Sequence, residues 1–144
     1  MSHTVDAALE FLRTCEAYCA KFILASEVES KCHKNGFLLI PQRKWRMILT
    51  IDEGHQKLRR KDMTISWPDG STTKCVATYD KSLEAYRISG FPKGFYYLSS
   101  DRAGDVIVLG RTSNNQYQAH IISHDEDIED FAARSGLYLY SNQI

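Results

Sequence analysis

Three groups of residues in this 144-residue sequence are of types that could do chemistry. The first is Glu29-Ser30-Lys31, an acid-x-Lys tripeptide of the kind that helps hold a metal ion and position water in nucleases. With 18 acidic residues in the chain, composition alone produces about one such tripeptide. It also falls in a polar stretch, not on a strand rigid enough to carry a catalytic centre, so no catalytic role is expected of it. The second group is Cys15, Cys19, Cys32 and His33. Cys15 and Cys19 would share a face of a helix, but the spacing matches no common zinc pattern, and small core residues are the better account. His120 and His124 straddle a strand and its exit and are not expected to converge on a metal. No phosphate-cradling or dinucleotide glycine pattern is present, and neither metal nor cofactor is expected.

The third group consists of two polar excursions between apolar runs, residues 26–36 and 79–87. They mix charged, hydroxyl and aromatic side chains, the types that read base edges. Lys or Arg donates to guanine acceptors, Glu accepts from the cytosine amino group, and Ser serves either purpose. By themselves such stretches are more often plain surface hairpin tips.

The elements that would position them follow from periodicity. Apolar spacing predicts a helix from Val5 to Cys19 behind Thr4 as N-cap, then a strand over Lys21–Ser26. A second strand is expected at Phe37–Ile40, closed by Pro41, with a short helix over Gln42–Leu49. Residues 52–61 read as an exposed basic connection. From Met63 the pattern becomes that of strands: Met63–Trp67, a turn at Pro68-Asp69-Gly70, Thr73–Tyr79, a tip at Asp80–Ala85, Tyr86–Ser89, Gly94–Leu98, Asp105–Arg111 and Tyr117–Ser123. A short last helix begins in the acidic run Asp125–Asp130, where the helix dipole favours carboxylates, and ends at Gly136. Leu137–Ile144 reads as a strand or the start of a linker. The expected fold class is mainly β (α+β), a seven-stranded open pseudobarrel with short flanking helices, and residues 1–144 are expected to form a single domain.

Net charge is zero, yet its distribution is uneven. Residues 31–61 carry Lys31, Lys34, Arg43, Lys44, Arg46, Lys57, Arg59, Arg60 and Lys61 against Asp52 and Glu53, a local surplus of seven positive charges. A neutral total can hide one positive face, and only the face that meets phosphate has to be positive. Four cysteines without a signal-peptide layout, and no apolar run near the roughly 20 residues of a membrane span, point to a cytoplasmic chain.

Three stretches carry a resemblance. They are Tyr18-x-x-Lys21 followed by a polar loop containing His33 and by Gly36-Phe-Leu-Leu-Ile-Pro41; Glu84-x-x-Arg87-Ile88-Ser89-x-Phe91; and Ala103-Gly104-Asp105 with Val106–Leu109, Tyr117 and Asp125–Glu129. In order and spacing the chain resembles the N-terminal DNA-recognition domain of EcoRII-like type II restriction endonucleases. That family is similar to the DNA-binding pseudobarrel of plant B-three domains. The resemblance implies a bacterial, cytoplasmic, monomeric domain that grips double-stranded DNA with two arms in the major groove, while a nuclease domain of the same polypeptide does the cutting. An N-arm from Lys21 to Lys34 would present Lys21, Ser26, Ser30, Lys31, His33 and Lys34. A C-arm from Tyr79 to Arg87 would present Tyr79, Lys81, Ser82, Glu84, Tyr86 and Arg87, with Glu84 and Arg87 as readers. Lys31, Lys34, Arg43, Lys44, Arg46 and the Lys57–Lys61 run would hold phosphates, and a CC(A/T)GG-like site is the first expectation. The chain departs from the family in a shorter, less basic C-arm, with Ser82, Leu83, Ala85 and Tyr86 in it, and in the acidic Glu27 and Glu29 of its N-arm. The other readings of the chain are a small metal-dependent nuclease and a β-rich protein-interaction module.

Overall fold

The computed structural model describes residues 3–28, 35–41, 60–82, 84–113 and 116–137. Among these, seven strands form one mixed sheet: β1 (Ala17–Phe22), β2 (Leu38–Pro41), β3 (Arg60–Ser66), β4 (Thr72–Asp80), β5 (Ala85–Ser89), β6 (Val106–Ser113) and β7 (Gln116–Ile122). Their order is β1-β6-β7-β3-β4-β5-β2, curled into a half-barrel, so the expected mainly β, open pseudobarrel architecture is what the chain adopts. All pairings are antiparallel except β3 with β7. Two helices flank the sheet, α1 (His3–Thr14) and α2 (Ile128–Ser135). The helix expected over Gln42–Leu49, residues 52–59 of the basic connection expected over 52–61, and residues 138–144 lie outside the described residues; the last two residues of that connection, Arg60 and Lys61, are not loop but the start of β3, which pairs there with Thr78 and Ala77 of β4.

Alternation decides which side each strand buries. Met63 and Ile65 of β3, Cys75 and Ala77 of β4, Tyr86 and Ile88 of β5 turn into an inner core with Ile107, Leu109, Tyr117 and Ala119. The run Val106–Leu109 has no alternation because β6 is covered on both faces. Its Val106 and Val108 meet Val5, Ala8 and Phe11 of α1 and Phe131 of α2 in a second, outer core. Gly110 lets α1 come close, since a Cβ there would run into Phe11 and Cys15. The last helix has the ends its sequence specifies. The Asp127 side chain accepts from the Asp130 amide at 2.8 Å, and Gly136 closes the helix at φ 72°.

The structure corrects two further elements. The first helix stops at Thr14, and the strand begins at Ala17 rather than Lys21. The stretch Ala17-Tyr-Cys-Ala20 supplies an edge strand to β6, with Cys19 turned into the inner core and Ala20 into the outer one. Cys15 and Cys19 therefore share no helix face. The run Gly94–Leu98 is not a strand but a 3-10 turn at Tyr96–Leu98. Gly94 takes φ 77°, and the aromatic rings that suggested a strand pack against Trp67 instead, Tyr97 stacking on it at 5.1 Å and Phe95 meeting it edge-on at 5.0 Å.

β1 and β2 lie at the two edges of the sheet, and one carboxylate spans them. Glu27 is fully buried; one of its oxygens receives the Lys21 ammonium of β1 and the Leu24 amide (2.7 Å), and the other receives the Leu39 amide of β2 at 2.6 Å. Elsewhere, buried Asp105 ties the start of β6 to the exit of β7, accepting from the His124 amide at 2.8 Å and from Arg102 at 3.2 Å.

Replacing Glu27 by Gln leaves the Lys21 charge buried without its counter-charge, and we expect urea denaturation to show a loss of about 3–5 kcal/mol. The Lys21→Met/Glu27→Gln double variant should lose less than the sum of the two single losses. His120, tilted against the Phe11 ring at 4.7 Å, gives a second expectation. Burial holds its imidazole below the ordinary range. The unfolded chain therefore takes up a proton that the folded chain refuses, so stability falls as pH drops through about 6.5. His120→Gln should flatten that part of a stability-versus-pH curve.

Candidate nucleic-acid interface

The first polar excursion leaves β1 and returns to β2 through a tied neck. The Phe37 amide donates to the Glu27 carbonyl at 2.9 Å, next to the buried carboxylate contacts, and the Asn35 side chain donates to the Phe91 carbonyl at 2.9 Å. Gly36 passes so close to Leu98 that a side chain would collide with it. Ser26 stands on the exposed turn at this neck, available to a partner. Lys21 does not. It is 1% exposed and held by Glu27, so as folded it cannot touch DNA, a correction to its place among the expected contacts. Glu27 is likewise an interior tie, not an acidic surface of the arm. Ser30, Lys31, His33, Lys34, Arg43, Lys44 and Arg46 lie outside the described residues.

The second excursion is the β4–β5 hairpin. Asp80 caps its turn, taking the Ser82 amide at 3.0 Å and the Ser82 hydroxyl at 2.6 Å. Glu84 sits at φ 50°, a left-handed conformation that costs a non-glycine residue free energy. Lys81, Ser82 and Glu84 are exposed on this turn. Tyr86 is not a surface reader. It is 5% exposed in the inner core, and Tyr79 packs on it with ring centroids 5.2 Å apart, so the two rings anchor the hairpin.

Arg87 faces outward on β5. Its guanidinium lies 4.3 Å above the Phe37 ring and 3.9 Å from the partly buried Asp80 carboxylate. Stacking leaves the in-plane donors of a guanidinium open to a ligand. The strand register extends this position into a row, because Arg60 of β3 pairs with Thr78 of β4, and Thr78 pairs with Arg87. Arg60 and Thr78 are exposed, as is Lys74 on the same face. Thr78 and Phe37 were not among the expected site residues. The polar alternation Thr72, Lys74, Thr78 along β4 was the available signal for the first, whereas nothing local marks Phe37 as the floor beneath an arginine.

The two excursions are attached at opposite ends of the β2–β5 ladder, one at the Leu38–Ile88 pair and the other at the Pro41–Ala85 pair. Three residue steps of roughly 3.4 Å put their roots about 10 Å apart along the strand. Among the described residues no cluster of three or more His, Cys, Asp or Glu could hold a metal ion, and no helix is long and apolar enough to cross a membrane. No protein-family model matches the chain, and neither does any curated protein sequence.

Glu84→Gly relieves the left-handed strain at the cost of a freer unfolded chain, so thermal unfolding should change by less than about 1 kcal/mol in either direction. A larger loss would mean that the Glu84 side chain supports the turn rather than projecting from it.

Proposed function

We propose that the chain is a sequence-specific double-stranded DNA-binding domain, the recognition module of a type II restriction endonuclease whose nuclease lies elsewhere in the parent polypeptide. The observation that carries this reading is the β2–β5 ladder, with a polar excursion at each end and Arg87 on the face between them. A root spacing of about 10 Å is close to the roughly 12 Å width of the B-DNA major groove. Two arms so placed would straddle the base edges of one groove.

In this reading the exposed row of Arg60 and Thr78, with Lys74 and Lys81, meets phosphates and sets the register on the duplex, as do the basic residues of 31–61. Arg87 donates to a guanine and Glu84 accepts from a cytosine amino group. Ser26, Ser82 and His33 complete a short site, with a CC(A/T)GG-like sequence as the first candidate. The domain acts as a monomer, without metal or cofactor, and cleaves nothing itself.

Selection from a randomised duplex library, followed by sequencing, tests binding and names the site together. Arg87→Ala should cost about 1–3 kcal/mol on the selected site and relax discrimination at one position. Arg60→Ala should weaken all sequences alike and reduce the salt slope by about 1. Uniform loss in both variants would remove Arg87 as a reader. Absence of duplex binding at low salt would favour a protein-interaction module, and metal-dependent plasmid cleavage by the purified chain would favour an enzyme.

A further inference from the structure

Arg87, at the middle of β5, has a side chain 43% exposed, and among the described residues nothing accepts a hydrogen bond from its guanidinium. Its ion pair with Asp80 spans 3.9 Å. That carboxylate already serves the hairpin turn, since one of its oxygens takes both the Ser82 amide and the Ser82 hydroxyl. An ion pair so long and so near solvent contributes little. What lies against the cation is the Phe37 ring, with the guanidinium carbon 4.3 Å from its centroid. A ring face attracts a cation without using any of its N–H groups. The arginine is therefore held, and its donors remain unspent.

The ring itself is firmly mounted. Arg87 pairs with Leu39 in the β2–β5 register, which makes Phe37 its diagonal neighbour on the outward face. The Phe37 amide donates to the Glu27 carbonyl and the Leu39 amide to the Glu27 carboxylate, so the backbone is fixed on both sides of Leu38. Gly36 is wedged against Leu98, and the Asn35 side chain donates to the Phe91 carbonyl, which sets the approach to the ring as well. The first excursion thus ends in a floor beneath an arginine of the strand that leaves the second.

A long side chain loses rotamer freedom when a ligand immobilises it, and a contact that already confines it lowers that cost. Direction counts too. Two parallel N–H bonds to one guanine edge demand a fixed orientation, whereas the general attraction of an arginine to phosphates does not. A floor beneath the guanidinium should therefore matter for telling bases apart far more than for attraction to DNA as such.

We propose that Phe37 is a specificity-determining positioning residue, which holds the Arg87 guanidinium for the guanine edge and so sets how sharply that base is distinguished. The role rests on the reading of Arg87 as a guanine donor, and Phe37 acts through Arg87.

The test compares the unaltered full chain with Phe37→Leu, which stays apolar without a ring, and Phe37→Tyr, which keeps the ring. In heteronuclear NMR of the free protein, with Arg87→Ala to assign the signal, the Arg87 Nε–H resonance should be displaced upfield by the ring current. It should return to the ordinary range in Phe37→Leu and stay displaced in Phe37→Tyr. Affinity is then measured for the selected duplex and for the same duplex with the guanine read by Arg87 replaced. The ratio of the two should fall about three- to ten-fold in Phe37→Leu, recover in Phe37→Tyr, and not change when Phe37→Leu is added to Arg87→Ala. Binding to an unrelated duplex should be the same in all three ring variants. If the unaltered chain selects no duplex, the DNA reading fails and takes this role with it. If a site is selected and Arg87→Ala relaxes it, yet Phe37→Leu discriminates like the unaltered chain or loses all duplexes equally, the DNA reading stands and the positioning role is overturned. An undisplaced Arg87 resonance in the unaltered chain overturns it as well, and serves if Phe37→Leu does not fold.

Discussion

The sheet is open between β1 and β2, and what bridges the opening is the carboxylate of Glu27. It draws the Lys21 ammonium from one edge strand and the Leu39 amide from the other, while its own backbone carbonyl takes the Phe37 amide. A buried charge pair is expensive to desolvate and is held only when hydrogen bonds satisfy its remaining lone pairs. Here they do, since both carboxylate oxygens are occupied by donors. An edge strand with unpaired amides is a place where sheets recruit unwanted partners, and the same carboxylate occupies one such amide of β2. The neck of the first excursion and the closure of the half-barrel are thus one construction.

The two faces of the sheet are put to different use. Helices α1 and α2 cover the outside of β1, β6 and β7 through the outer core, so that half is buried on both sides. The outside of β3, β4 and β5 carries Arg60, Asp62, Lys74, Thr78 and Arg87 instead, an exposed polar face between two excursions. Such a division leaves the inner core, with Trp67 and its ring of Phe91, Phe95 and Tyr97, to hold the strands while the polar side chains outside face solvent.

Much of this was legible in the sequence where a short-range rule decided the outcome. The strands after Met63 follow alternation and are bounded by turn residues, and the last helix has its cap residues in the expected places. The beginning of the chain was misread because Ala17-Tyr-Cys-Ala20 has no decisive period of its own, and the free edge of β6, some ninety positions further on by register, makes it a strand. Gly94–Leu98 misled for a related reason. Aromatic residues favour strands when a neighbouring strand is there to pair with, and here the rings found an indole instead. Among the candidate contacts, Lys81, Ser82 and Glu84 stand exposed on the β4–β5 turn, and Arg87 faces outward on β5. Lys21, Tyr86 and Glu27 were placed on the arms by the resemblance, and only a long-range partner or a packed core could reveal them as interior.

The strand order also sets an order of assembly. β3, β4 and β5 form one meander of neighbouring hairpins, and β6 with β7 forms another, each closed by loops short in sequence. Their union through the parallel β3–β7 contact spans a long stretch of chain and is entropically slower to reach. β1 and β2, consecutive in sequence yet placed at opposite margins, can be locked together only after that union has brought the margins face to face. By that topological argument the Glu27 junction, from which the first excursion springs, is the contact that depends most on the other strands having already paired.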